Sequence, residues 1–488
     1  MISALRNRVQ LNLPWLGILL LIILSIGFLL PVLPNDFWWY LRLGKDIVGN
    51  GSIPAFETYS STALGQPVSY PMWLSAVFFY GLFQAGDLSL VVLLRGLLIG
   101  IFYLALWVIC IRKGLPGWVA TLLTLLCALA GANNWAVRPQ MFVYPLFGLA
   151  LIILNGEETQ HFFQDSDDKT GHARFSKHFY WLIPISILWS NLHGSVIILF
   201  LLAFPYFLFY QRNRQFFIVL CFTILATFIN PRGPLIWWDT VQIIQATGNQ
   251  FSQEWKPPIN SGWQMNFFFM WIILFVPLVS FSKNKLKKHE WIWFLGFGWM
   301  ALTGTRYVIW FLALLLILTS QLLKGLLREN IYQGAFSNIK LNYGLLLIMV
   351  LLPTFLLPGI RENWWAESPE VMTKNTPIQA TTWIQQNINP DDLIFNDYLF
   401  GSYMIYALPA HPVWIDSRFY PYPELLWQDY LSISNADLNW YEKLEHYQID
   451  YLFLDNNSQK NLIIAIHQSK YYCQKYTDST ASIFSKCE

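Results

Sequence analysis

Long runs of apolar residues, nearly free of charge, recur through the first three quarters of this 488-residue chain. A run of about 20 such residues crosses a bilayer as a helix, the one single-segment element that satisfies its own backbone hydrogen bonds there. Charged residues make up 12% of the chain, against about 25% in soluble domains, while aromatic residues reach 17%. Too little polar surface remains to cover a water-soluble globule of this length. A cytosolic enzyme, a disordered scaffold and a small disulfide-framed secreted module are excluded on those grounds. The formal net charge of +2 offers no field for nucleic acid. A polytopic α-helical membrane protein is expected.

Spans are expected at 11–32, 88–110, 117–132, 141–155, 179–191, 193–210, 216–230, 265–281, 291–304, 307–323 and 341–358, about eleven in all. The first is too long for a signal-peptide core and is read as a retained helix. Arg6 and Arg8, Arg112 and Lys113, the 156–178 loop, Arg212 and Arg214, Lys283 to Lys288, and Lys324 with Arg328 then all fall on one side. Basic residues gather on the cytoplasmic face, so the N-terminus is expected there. This holds only if 71–85, beginning beside Tyr70-Pro71, lies against the outer face instead of spanning. The expected location is a bacterial inner membrane, with the polar tail in the periplasm or outside the cell. The loop containing His161, Asp165, Asp167, Asp168, His172 and His178 matches no metal-ligand spacing and reads as solvated. Arg95, deep within a span, needs a partner and reads as structural.

The expected division is a membrane domain over 1–360, with its first outer loop at about 35–87, and a small α/β domain over 361–488. In that tail short apolar stretches (393–395, 413–415 and 451–454) alternate with helical patterns at 376–386, 424–433 and 438–447. The end, YYCQKYTDSTASIFSKC, reads as two strands around a turn. Cys473 and Cys487 are a candidate disulfide because the compartment is oxidising. Cys110, Cys127 and Cys221 lie in apolar runs and read as small core residues.

No Walker loop, dinucleotide-binding glycine loop, HExxH or GxSxG is present. The chemistry must come from polar residues at the outer ends of spans. Asp36 follows the first span and precedes a helical pattern in which Arg42, Lys45 and Asp46 share one face. Phe37, Tyr40, Leu41, Leu43, Ile47 and Val48 share the other, with Trp38 and Trp39 at the border. The pattern is that of an interfacial helix with an aromatic belt. A carboxylate at that depth is read as functional, with simple helix capping as the alternative. Glu57 sits in a turn-rich loop. Arg138, Arg232, Lys256 and Arg306 lie outside against the prevailing bias. Together they suggest an anion site, since guanidinium groups match phosphate geometry. His193 lies near the outer surface between two spans, where a packing role is the ordinary reading. In the tail, Asn396-Asp397-Tyr398 and Asp416-Ser417-Arg418 follow expected strands, where α/β domains place binding groups. An internal Asp416–Arg418 pair is the alternative.

The stretches NDFWWYLRLGKDIVGNGSIP, RPQMFVYPLF, NLHGS, NPRGP, EWKPP, IFNDYLFGSYMIY and VWIDSRFYPY, spread over nearly the whole chain, resemble those of a bacterial group within the GT-C superfamily. That superfamily of integral-membrane glycosyltransferases includes protein O-mannosyltransferases, aminoarabinose transferases and oligosaccharyltransferase catalytic subunits. The resemblance implies a GT-C-like membrane body and a polyprenyl-phosphate-linked sugar donor attacked at the outer leaflet by an acceptor hydroxyl or amide. It implies Asp36 as the catalytic carboxylate, with Glu57 as the second acid. Many members carry a second acid beside the first, where this chain has Asn35, so the need for a divalent cation is left open and no cofactor is assigned. Arg138 and Arg306 would be the leading phosphate contacts, followed by Arg42. His193, Asp416 and Arg418 complete the expected substrate contacts. The donor and membrane lipid are the expected partners, and no protein partner is indicated. Two other readings stand beside this one, a catalytically silent GT-C-fold subunit for envelope assembly and a flippase for lipid-linked intermediates. The flippase would want more ionisable residues near the bilayer midplane.

Overall fold

The computed structural model describes residues 9–156, 176–246, 252–327 and 338–487. Arg6, Arg8, His161, Asp165, Asp167, Asp168, His172 and Arg328 lie outside the described residues. The chain forms two compact units, each assembled from three separate stretches.

The first unit comprises Met1–Leu30, Leu88–Ile236 and Ser252–Ser368 and is helical. Among the described residues of the whole chain, four helical stretches are long and apolar enough to cross a membrane: Trp73–Arg112, Gly262–Phe281, Thr305–Lys324 and Ile339–Leu356. Shorter apolar helices include Leu13–Leu29, Gly117–Ala130, Gln140–Asn155, Gly194–Phe209 and Arg214–Ala226. Helix Val308–Lys324 is apolar nearly all round and buried along most of its length, the pattern of a central helix. It packs against Gly262–Phe281, Lys288–Thr303 and Gly117–Ala130. Tryptophans that would otherwise bury an N–H find partners: Trp271 Nε1 donates to Thr319 Oγ1 (3.0 Å) and Trp293 Nε1 to the Leu202 carbonyl (3.0 Å).

Three of the basic stretches assigned to one side meet within this unit. Lys113 Nζ donates to Gln321 Oε1 (2.6 Å), Gln321 Nε2 to Glu290 Oε2 (3.0 Å), and Asn284 Nδ2 to the Gln321 carbonyl (2.8 Å). Arg95 is fully buried and donates to the carbonyls of Gly27 and Leu30 at the C-terminal end of Leu13–Leu29. A cation at the negative end of a helix is favourable, so its partner is a helix terminus and not a carboxylate.

The 40-residue helical stretch Trp73–Arg112 loses helical geometry at Gly86 and at Asp87, whose φ is 52°. The break falls between the two segments expected at 71–85 and 88–110, and it is also where the unit boundary lies.

The second unit comprises Pro31–Asp87, Trp237–Phe251 and Pro369–Glu488, so the stretch expected as the first outer loop and the tail belong to one compact body. Its sheet has the order β1-β2-β4-β3, from β1 (Ile394–Asn396), β2 (Tyr451–Asp455), β3 (Tyr472–Thr477) and β4 (Ala481–Lys486). β1 and β2 are parallel, while β4 runs antiparallel to both β2 and β3. Helices Ile378–Asn387, Tyr398–Ala407, Glu424–Ser434, Trp440–His446 and Lys460–Ser469 accompany it. The 413–415 stretch, expected as a strand, stays outside the sheet and bridges the outer loop through Ser60 and Val413. Its apolar character is explained by the core it enters, where Trp414 and Ile415 join Trp427, Tyr430, Leu452 and Phe484. Cys473 and Cys487 form a disulfide with a Cα–Cα distance of 5.0 Å.

Helix Phe37–Asn50 departs from the interfacial expectation. Trp38 and Trp39 are 2% and 3% exposed, so they pack within the protein and form no lipid-facing belt. Trp38 Nε1 donates to the Leu33 carbonyl, and its ring lies edge-on to Tyr403 of helix Tyr398–Ala407. Gly44 makes room for a second neighbour, because a Cβ there would overlap the Ala76 carbonyl oxygen.

Candidate functional site

The second unit brings Asp36, Arg42, Glu57, Asp416 and Arg418 into one connected network. Asp36 occupies the N-cap position of helix Phe37–Asn50, yet its side chain makes no capping bond and its backbone is already helical. The capping alternative is therefore not what the side chain does. Instead, Asp36 Oδ1 accepts a 2.5 Å hydrogen bond from Ser417 Oγ, 381 residues away in sequence. Asp36 is half-buried.

Glu57 and Arg418 are both completely buried. Arg418 Nη1 donates to Glu57 Oε2 (2.5 Å) and to Tyr70 Oη (3.0 Å). Its Nη2 donates to Glu57 Oε1 (3.1 Å) and Asp416 Oδ2 (2.6 Å), and its Nε to Asp416 Oδ1 (2.9 Å). A guanidinium has five N–H donors, and all five have acceptors inside the protein. Glu57 Oε1 also receives the backbone N–H groups of Tyr59 (2.6 Å) and Ser60 (3.1 Å), and Tyr422 Oη donates to Asp416 Oδ2 (2.5 Å). Burial alone would lower the Arg418 pKa, but Asp416 and then Glu57 carry it well above the usual range. Burial, before any charge effect, raises the Tyr59, Tyr70 and Tyr422 hydroxyls far above an ordinary phenol.

Arg42 joins through an intermediate. Its Nε donates to both oxygens of Asp46 (3.0 Å each), and Asp46 Oδ2 accepts from Tyr59 Oη (2.7 Å). Phe419, next after Arg418, has φ 57°, a strained conformation for a bulky residue and one that clusters at functional positions.

The first unit holds Arg138, His193 and Arg306. Arg138 Nη1 pairs with Glu254 Oε2, while Arg306 Nη1 lies 3.9 Å from Glu254 Oε1. The Arg306 guanidinium also stacks 3.9 Å from the Trp255 ring centroid. Burial pushes the Glu254 carboxyl up, but Arg138 and Arg306 outweigh it and hold the group below the usual carboxylate range. Two guanidiniums around one carboxylate leave a surplus positive charge, which suits an anion. His193 Nδ1 accepts the Ser195 N–H (3.1 Å), which puts the ring proton on Nε2, and it also contacts Ser195 Oγ (2.8 Å). Its local role is to close the turn between two helices.

Sequence reasoning named Ser417 only within the Asp416-Ser417-Arg418 stretch and did not single out Tyr59, Tyr70, Tyr422 or Glu254 as site residues. Ser417 and Tyr422 stand in VWIDSRFYPY and Glu254 in EWKPP, so the signal was present as a motif without a role. Among the described residues, no three His, Cys, Asp or Glu side chains are grouped as a metal site.

No protein-family model matches the chain, and a search of curated proteins gave no match. Solved structures do match. The apo oligosaccharyltransferase of Archaeoglobus fulgidus superposes over 98% of this chain and 74% of its own, with a TM-score of 0.55 and 12% identity. The archaeal oligosaccharyltransferase AglB from Archaeoglobus fulgidus, in complex with an inhibitory peptide and a dolichol-phosphate, covers 97% and 74%, with a TM-score of 0.52 and 11% identity. The chain has the GT-C fold. ArnT from Cupriavidus metallidurans in the apo state also aligns, over 95% of this chain and 96% of its own, at 14% identity and a TM-score of 0.48. Within this GT-C fold, Asp36 stands seven residues beyond helix Leu13–Leu29, at the head of the first helix of the outer loop.

Proposed function

We propose that this protein is a membrane glycosyltransferase that moves a sugar from a polyprenyl-phosphate donor to an envelope glycan, lipid or protein acceptor. The observation that carries the reading is the GT-C fold over nearly the whole chain, shared with an oligosaccharyltransferase solved with dolichol-phosphate. Asp36 is the general base. As the bond between the sugar's anomeric carbon and the phosphate oxygen breaks, the acceptor oxygen or nitrogen forms the new bond and its proton passes to Asp36. The lipid phosphate leaves with the electron pair. In the first unit, Arg138 and Arg306 around Glu254 are the candidate anion contacts. Glu57, Asp416 and Arg418 act as a buried frame, because their polar atoms are already committed to one another. The proposed setting is a bacterial inner membrane, with a cytoplasmic N-terminus and an extracytoplasmic 369–488 segment.

The test uses purified protein in nanodiscs with a panel of polyprenyl-phosphate sugars, scoring released lipid phosphate by mass spectrometry. Turnover that Asp36→Asn abolishes, in a variant that remains folded and inserted, is the expected result. Donor binding without turnover, unchanged in Asp36→Asn, would instead identify a silent subunit of envelope assembly.

A further inference from the structure

We infer that Ser417 is a positioning residue for Asp36, backed by Ser402; the inference rests on the proposed role of Asp36. The order of donors follows from chemistry. An ionised carboxylate only accepts, so the 2.5 Å contact between Ser417 Oγ and Asp36 Oδ1 uses the single Ser417 hydroxyl proton. The 2.7 Å contact between Ser417 Oγ and Ser402 Oγ must then be donated by Ser402. Ser402 is fully buried and Ser417 is 8% exposed, so water competes weakly for either hydroxyl. The result is a two-hydroxyl chain ending on one carboxylate oxygen, within a single compact unit.

The surrounding backbone makes this chain rigid. Helix Tyr398–Ala407 carries Ser402, and Asp397 caps its first turn through the N–H groups of Leu399 (2.9 Å) and Phe400 (3.4 Å). Gly401 allows the helix to approach the 415–417 segment, since a Cβ there would overlap the Ile415 carbonyl oxygen. On the other side of Ser417, Asp416 and Arg418 are immobilised by their mutual ion pair and by Glu57. The hydroxyl that meets Asp36 therefore has its position set by elements remote from Asp36 in sequence. A base held in a fixed rotamer keeps the geometry that proton transfer requires.

The experiment compares wild type, Ser417→Ala, Ser417→Thr and Asp36→Asn in nanodiscs. It measures kcat and KM for lipid-phosphate release, and the thermal stability of wild type, Ser417→Ala, Asp36→Ala and the Ser417→Ala/Asp36→Ala double variant. Expected for Ser417→Ala is a kcat lowered about 10- to 100-fold with KM changed less than about threefold. Ser417→Thr, which keeps the hydroxyl, restores most of kcat. The stability effects of Ser417→Ala and Asp36→Ala are less than additive, because each removes the Ser417 Oγ–Asp36 Oδ1 bond. Wild-type kcat in Ser417→Ala, or additive stability effects, would overturn the inference. Wild-type protein that turns over no donor would overturn the glycosyltransferase reading and, with it, the positioning role, while the stability cycle separately reports whether the bond exists.

Discussion

Replacing Arg418 by Met tests whether the Glu57–Arg418–Asp416 cluster is the frame of the second unit. Met retains much of the apolar stem and removes the charge. Arg418 is fully buried and spends all five N–H groups on Glu57, Asp416 and Tyr70. Without it, two buried carboxylates that both accept from Nη2 are left facing a vacated space with no cation. Removing one partner of a buried ion pair typically costs about 3–5 kcal/mol. The upper half of that range is expected here, because one cation serves two acids and a phenol. For a unit of this size each kcal/mol moves the melting midpoint by about 2–4 °C, so a drop of about 8–20 °C is expected. Thermal unfolding of detergent-solubilised protein, followed by tryptophan fluorescence, reads it directly.

The control separates loss of packing from uncompensated charge. Adding Glu57→Gln and Asp416→Asn to Arg418→Met removes both stranded charges. Gln at position 57 also keeps the Oε1 acceptor for the Tyr59 and Ser60 N–H groups. The triple variant is expected to regain at least half of the lost midpoint. An Arg418→Met midpoint within about 2 °C of wild type would refute the reasoning. So would a triple variant no more stable than the single one, since the cost would then be packing and not charge.

Asp397 carries the pH dependence. Burial, then the Asp455 charge, pushes its carboxyl from 3.8 up to about 6, against the hydrogen bonds of Tyr430 and the helix N-terminus. The folded state thus holds a proton that the unfolded chain gives up between about pH 4 and 6. Stability from this group is full below about pH 4 and falls by about 3 kcal/mol as pH rises through 6. Asp397→Asn keeps a capping oxygen and should lack that slope, so its midpoint relative to wild type rises from pH 4 to 7; a difference that stays flat would contradict this. Reduction of Cys473–Cys487, or Cys473→Ser with Cys487→Ser, should cost about 3 kcal/mol for a separation of 14 residues, measured as a midpoint lowered by about 6–12 °C.

The apolar periodicity made the helical membrane body legible, because burial in lipid or in a helical core demands the same composition along a whole segment. The break in Trp73–Arg112 was legible for a related reason. Tyr70-Pro71 and the polar Gly86-Asp87 bracket a segment too short to span. Three of the five helices described in the tail were readable to within a few residues, since their amphipathic pattern is local: 424–433 was expected and Glu424–Ser434 is found, whereas Tyr398–Ala407 and Lys460–Ser469 were not expected. The tryptophans of helix Phe37–Asn50 were not. Trp at the end of a span fits an aromatic belt and a protein core equally well, and what decides is helix Tyr398–Ala407, about 360 residues away in sequence. Glu57 shows the same limit. A turn-rich loop argues for a solvated acid, and only the partner at position 418 makes burial affordable. Pairings of that sequence separation leave no periodic trace. Asp36 was picked out by its depth after the first span, but its contact with Ser417 could not be read from either neighbourhood.

The tripeptide Asp416-Ser417-Arg418 ties these observations together. Ser417 and Arg418 lie in a turn, closed by the Arg418 N–H donating to Asp416 Oδ1 (2.8 Å). Here the outer two, Asp416 and Arg418, engage each other and Glu57, while the middle one, Ser417, engages Asp36. One short stretch therefore binds two places in the 31–87 segment, Glu57 and Asp36, and the left-handed backbone of Phe419 follows immediately. The buried charges are costly to desolvate and contribute little net stability compared with well-packed apolar residues. Their effect is on register. A shift of one residue that put Arg418 in the place of Ser417 would bring a cation to Asp36 and leave Glu57 buried without its partner. The ion cluster thus selects the one register in which a hydroxyl, and not a cation, meets Asp36. A cation there would neutralise the carboxylate that the proposed chemistry needs as a base, whereas a hydroxyl orients it and leaves its charge intact.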